Sequence, residues 1–177
     1  SIHKTDGFQR LRRTGRVKNL ADASGKKDLA GCSGISHTRW ATHGKPTYAN
    51  AHPHQSGPIA LVHNGVIENH QALRQEVIDF GGHLSSETDS EVIAHLIHAA
   101  YLKTNDMALA IRHTVQKLEG SFALVILNQN EPHQIYGIRH QSPLIIGIGV
   151  DEHFIASDVL ALSGLTAQYR YLEDGDL

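Results

Sequence analysis

Between Asn69 and Gly120 the chain reads as three helices in succession, and from Phe122 onward as a series of short strands. Val92, Ile93, Leu96, Ile97 and Ala100 recur at helical spacing, which predicts a well-buried helix behind a Thr88–Glu91 capping box. Asn69 can cap the helix before it, with Leu73, Val77 and Phe80 on its buried side and Gly81-Gly82 as the stop. Asp106 opens the third helix, and Ile111, Val115 and Leu118 form its apolar stripe. Residues 122–127, 134–139, 144–148 and 153–156 are strand-like runs separated by turn signals. Residues 159–162 form a helical turn and 168–172 a last strand. Blocks of helices and blocks of strands, rather than strict alternation, predict an antiparallel α+β fold.

The first third of the chain is more broken. Residues 1–4 and 9–13, divided by Thr5-Asp6-Gly7, are expected to form a hairpin, and 16–23 a short helix closed at Ser24-Gly25. Residues 35–40 read as a strand and 41–57 as a loop, with Gly44, Pro46, Pro53 and Gly57 as breakers. Residues 59–63 are a short apolar strand. It is expected to stop at Asn64-Gly65, a pair that tolerates positive φ.

A length of 177 residues suits one domain with a real core. Hydrophobic and charged shares of 40% and 19% are those of an ordinary globular protein. A net charge of −2 gives no electrostatic case for nucleic acid or an anionic membrane. The one basic cluster, from Arg10 to Arg16, reads as a solvated strand or hairpin face. No apolar run approaches the ~20 residues that span a bilayer. The single Cys32 cannot form an internal disulfide, and with no secretion signal the expected compartment is the cytoplasm.

Chemistry is concentrated between His37 and His70. Arg39 follows a strand and opens a loop, where a guanidinium can hold a carboxylate through two parallel hydrogen bonds or pair with an acidic side chain. Asp89 stands at a helix start, where it complements the dipole or anchors an ammonium group. Together these two suit a free α-amino acid. Asn64-Gly65 is either a tight turn or a pair of donors, the Asn64 amide and the Gly65 N–H, for an oxyanion. The 14 histidines include His52-Pro53-His54, but no metal-binding helix motif accompanies them, and no metal or cofactor is expected. Cys32 reads as an incidental thiol. Trp40, taken alone, reads as core.

The segments His37-Thr38-Arg39-Trp40-Ala41-Thr42-His43-Gly44, residues 50–54, 63–70 and 86–95, and more weakly 142–144 and 154–158, resemble the glutaminase domains of amidotransferases that make glucosamine 6-phosphate. The resemblance covers essentially the whole chain. It implies an αββα sandwich of the N-terminal nucleophile hydrolase type and hydrolysis of the glutamine side-chain amide. It implies that Arg39 holds the α-carboxylate and Asp89 the α-amino group. Trp40, Thr42, His43 and His52 would line the pocket, and Asn64 and Gly65 would form the oxyanion hole. The implied partners are L-glutamine, a C-terminal sugar-isomerase domain and further copies of the longer chain. The family attacks with an N-terminal cysteine, whereas this sequence opens Ser1-Ile2-His3-Lys4, which matches a later strand of the family. The expectation is therefore one glutaminase domain over residues 1–177 without its first strand and nucleophile, inactive on its own.

Overall fold

The computed structural model describes residues 2–4, 7–25, 27, 29, 31–39 and 44–177. Two short strands, β1 (Ile2–Lys4) and β2 (Gly7–Gln9), pair antiparallel. Helix α1 follows over Val17–Ser24. The central sheet is made of β3 (His54–Ser56), β4 (Ile59–Ile67), β5 (Gly120–Asn128) and β6 (Tyr136–His140), antiparallel throughout and in that spatial order. Between β4 and β5 the chain forms α2 (His70–Asp79), α3 (Asp89–Thr104) and α4 (Met107–Val115). A second antiparallel sheet, ordered β8-β7-β9, comprises β7 (Ile145–Ile148), β8 (His153–Ala156) and β9 (Gln168–Tyr171), with a 3-10 turn at Val159–Leu162 before β9.

The central sheet is covered on both faces, because β4 and β5 are apolar at nearly every position. Ile59, Leu61 and Ile67 of β4, with Phe122, Leu124 and Ile126 of β5, pack against Val92, Ile93, Leu96 and Ile97 of α3 and its neighbours. The alternate residues Ala60, Val62, Val125 and Leu127 pack on the opposite face with Ile35 and Phe8. Leu144 and Ile155 of the second sheet's layer lie against β6, where they crowd Gly137. The result is the α+β sandwich expected: helices, central sheet, second sheet. Helix α1 has none of its side chains buried.

Local expectations hold where the signal is local. Asp106 accepts from the Leu109 N–H and caps α4. Thr88 caps α3, accepting from Glu91 N at 3.2 Å. The capping box is only half formed, because the Glu91 carboxylate turns instead to the backbone N–H and hydroxyl groups of Ser85 and Ser86. Asn69 does not cap α2. Its side chain reaches Lys117 O and Glu119 N, tying the start of α2 to the turn before β5.

Three further expectations are overturned in whole or in part. β4 does not stop at Asn64-Gly65 but runs on to Ile67, because β5 supplies a paired partner for every residue from Ile59 to Ile67. Residues 35–39 form no strand; Ile35 holds them to the sheet by packing. The basic cluster is a solvated face only in part: Arg13 and Arg16 are exposed, but Arg12 is not. Arg12 is buried, donates to Ala49 O and Ala51 O at 2.9 and 3.0 Å, and lies over the Tyr48 ring. Thr5 and Asp6 of the expected hairpin turn lie outside the described residues.

Candidate active site

The site forms where β4 passes the start of α3 and the extended segment 37–39. A cleft of about 190 Å³ is lined by His37, Arg39, His52, Asn64, Gly65 and Asp89, among others. That is a volume for a small ligand, below the ~300 Å³ at which drug-sized pockets begin. Of the residues expected in the site, Arg39, His52, Asn64, Gly65 and Asp89 therefore share one cleft. Trp40, Thr42 and His43 lie outside the described residues.

Strand alternation decides what β4 contributes. His63, like Ile59 and Leu61, points to the helix side, where its Nδ1 meets Ser90 Oγ at 3.0 Å. Asn64 points to the other side, where its Oδ1 accepts from His37 Nε2 at 2.7 Å. Gly65 has φ +128°, a backbone state that L side chains rarely adopt, and a Cβ there would sit 2.0 Å from Ser121 O. Only glycine fits this point of the β4–β5 ladder. The Asn-Gly pair thus marks a distortion within a strand rather than its end.

Asp89 is buried, at 3% exposure, and its carboxylate is held by the backbone. Oδ2 accepts from Ile67 N at 3.0 Å and Oδ1 from Ser90 N at 2.9 Å and Ser90 Oγ at 3.3 Å. Asp89 is the first residue of α3, whose cap is Thr88, and it joins α3 to the end of β4. Ser90 is the residue that the sequence reading missed. Its hydroxyl donates to Asp89 and so accepts from both rings that touch it, His52 Nε2 at 3.1 Å and His63 Nδ1 at 3.0 Å. Burial, reinforced by the neighbouring rings of His37, His54 and His63, holds His52 neutral, far below the ordinary histidine range.

The loop that carries the other wall is braced. Arg39 donates to Gly44 O at 3.0 Å and Lys45 O at 3.2 Å. Asn50 donates to Lys45 O and Glu87 Oε2 and accepts from Glu87 N, fastening the loop to the turn before α3. His54 is turned away from the cleft to Thr88 Oγ1, and burial lowers its pKa to about 4. Among the described residues no three His, Cys, Asp or Glu side chains could hold a metal ion.

Cys32 is exposed. Its neighbour Ser33 donates to Pro132 O, beyond the Asn128 end of β5. Asn64 pairs with Ala123, five residues along that strand, a span of roughly 16 Å. The lone thiol is remote from the cleft.

The cleft thus has an arginine on one wall, a fixed carboxylate on another and Asn64-Gly65 between them, groups that suit a small polar ligand. Residues 37–164 match the family described as glutamine amidotransferase domain, and the chain belongs to that family. It is 50% identical to glutamine–fructose-6-phosphate aminotransferase (isomerising) of Legionella pneumophila (strain Lens) over 176 residues, which are 99% of this chain and 29% of the relative. It is 49% identical over the same span to the enzyme of that name from Vibrio vulnificus (strain YJ016), again with 99% and 29% covered. The chain therefore spans 29% of the length of these curated relatives. Among solved structures it is similar to the allosteric regulatory enzyme of purine biosynthesis, with a TM-score of 0.76, 27% identity, and 91% of this chain and 36% of that chain covered. The glutamine phosphoribosylpyrophosphate amidotransferase of B. subtilis gives a TM-score of 0.64 at 28% identity, with 78% and 30% covered. No helix among the described residues is long and apolar enough to cross a membrane.

Proposed function

We propose that this chain hydrolyses the side-chain amide of L-glutamine, and that the ammonia serves the conversion of fructose 6-phosphate to glucosamine 6-phosphate by the natural protein. The observation that carries the reading is the meeting of Arg39, Asp89, Asn64 and Gly65 in one small cleft. Arg39 holds the α-carboxylate as a planar fork. Asp89 holds the α-ammonium group, its carboxylate already fixed in place by two backbone N–H groups. His52 forms part of the wall, and Trp40, Thr42 and His43 complete the pocket from the neighbouring loop. With the carboxylate and ammonium groups on the α-carbon held, the side-chain carboxamide lies beside Asn64 and Gly65.

A nucleophile adds to the carboxamide carbon, and the carbonyl oxygen becomes an oxyanion. The Asn64 Nδ2–H and Gly65 N–H donate to it. The carbon–nitrogen bond breaks, the leaving nitrogen takes a proton and departs as ammonia, and water releases glutamate from the acyl intermediate. The family's nucleophile is an N-terminal cysteine, and Cys32 does not take that role. In this reading the ammonia acceptor is a sugar-isomerase domain like that expected in the rest of the relatives' length, within a chain that self-associates.

A binding module that holds glutamine without cleaving it would need Arg39 and Asp89 but not the donor pair. The test is glutamate release by the natural protein and by its Asn64→Ala variant. The variant should lose roughly 10²–10³-fold in kcat with a smaller change in KM. Glutamine binding without glutamate release in the parent protein would support the module instead.

A further inference from the structure

We infer that His37 sets the orientation of the Asn64 side-chain amide, so that Nδ2 rather than Oδ1 faces the reacting centre. This rests on the reading of Asn64 as an oxyanion donor. A carboxamide has two faces, and a half-turn about its last bond exchanges donor for acceptor. Only one of them serves the reaction, since Oδ1 turned to the cleft would face the oxyanion with a second negative dipole. Asn64 is exposed at the cleft, and nothing in its own strand geometry selects between the two.

His37 makes the selection. Its Nε2 is 2.7 Å from Asn64 Oδ1. The ring is confined, with its centroid 4.1 Å from that of His52 and its chain anchored two residues earlier by buried Ile35. Burial disfavours the imidazolium, as does nearby Arg39, while Asn64 and the His63 backbone favour it less strongly. A neutral ring carries one N–H. That proton belongs on Nε2, where an oxygen waits, and not on Nδ1, which is buried with no hydrogen-bond partner among the described residues. An Nε2–H donor meeting Oδ1 is satisfied. The same donor meeting Nδ2 would set two N–H groups against each other. His37 is thus a positioning residue, acting through Asn64.

The inference makes a sharp distinction between two substitutions. Glutamine carries its amide nitrogen close to the place of the imidazole Nε2, whereas the shorter asparagine reaches only the place of Nδ1. His37→Gln should therefore keep most of the activity, and His37→Asn and His37→Ala should lower kcat with KM nearly unchanged. The loss should lie between about twofold, for an amide sampling both orientations equally, and the roughly 10²–10³-fold loss of a whole oxyanion donor. In an Asn64→Ala background, His37→Ala should cost nothing further.

The decisive measurement is made on the natural protein without substrate. Two-bond ¹H–¹⁵N correlation of the labelled His37 ring should show the Nε2–H tautomer. An Nδ1–H tautomer would overturn the inference, because Asn64 would then donate to the ring. Full additivity of the two alanine substitutions would also overturn it. A parent protein that shows the Nε2–H tautomer but releases no glutamate would refute the proposed hydrolysis and leave the amide orientation standing.

Discussion

Replacing Asp89 by asparagine removes a charge while keeping shape, and from helix-start chemistry alone the fold should tolerate it. The structure gives a different answer. Both carboxylate oxygens accept from backbone N–H groups, Oδ2 from Ile67 at 3.0 Å and Oδ1 from Ser90 at 2.9 Å. Whichever way the new amide turns, its NH₂ faces one of these donors. One hydrogen bond to a charged group is lost, worth about 1.5–3 kcal/mol, and a buried N–H is left unsatisfied at about 1–3 kcal/mol. The two overlap, so a net cost of about 2–4 kcal/mol is expected. For a domain of this size each kcal/mol lowers Tm by roughly 2–4 °C, which gives a fall on the order of 4–16 °C. The assay pairs a calorimetric melt with glutamine kinetics well below the transition, normalised to folded protein. KM should rise as well, because the ammonium partner is neutralised. A Tm within a degree of the parent would refute the argument that this carboxylate joins β4 to α3. Normal KM per folded molecule would remove its role toward the amino group.

Arg39→Lys keeps the charge but loses the planar fork and the two bonds to Gly44 O and Lys45 O; KM for glutamine should rise severalfold or more, and an unchanged KM would exclude carboxylate binding. Acid should destabilise the fold well above the carboxylate range. The buried His54 has a folded pKa of about 4 against an unfolded value near 6.5, so the unfolded chain binds more protons between these limits and stability falls as pH drops from about 6.5 toward 4. The shift corresponds to an order of 3 kcal/mol. His52, His95 and His98 are also lowered by burial and act with the same sign. A urea titration series across that window measures the slope, and His54→Gln should flatten it.

Arg39, Asp89 and Asn64-Gly65 stood out in the sequence as residue types with more than one use, and the fold brings them to one cleft. What residue type could not convey was decided by partners far away in the chain. Asn64-Gly65 announces tolerance of positive φ, but whether the chain then reverses depends on β5, which keeps pairing with β4 through Val66 and Ile67. Asn69 has the composition of a cap, yet its amide is drawn to Lys117 and Glu119 across the fold. Arg12 looks like a surface charge until the loop at Ala49 and Ala51 closes over it. His37 and Ser90 carry no local signal at all, since their partners Asn64 and His52 lie 27 and 38 positions away.

β4 works as a reading frame. His63 and Asn64 are consecutive letters delivered to opposite faces, one to Ser90 and the other to His37. A slip of one residue against β5 would exchange them. The apolar pattern opposes such a slip only weakly, because Ile59 and Leu61 on one face alternate with Ala60 and Val62 on the other, and both faces are dry. The stronger check is steric. Gly65 lies where a Cβ would meet Ser121 O at 2.0 Å, and Gly120 where one would meet Val66 O at 2.3 Å. Shifted by one, either strand would bring a side chain into a space that admits none. The two glycines therefore act as punctuation on facing strands, and Gly65 ensures that the asparagine beside it is delivered to the face of His37.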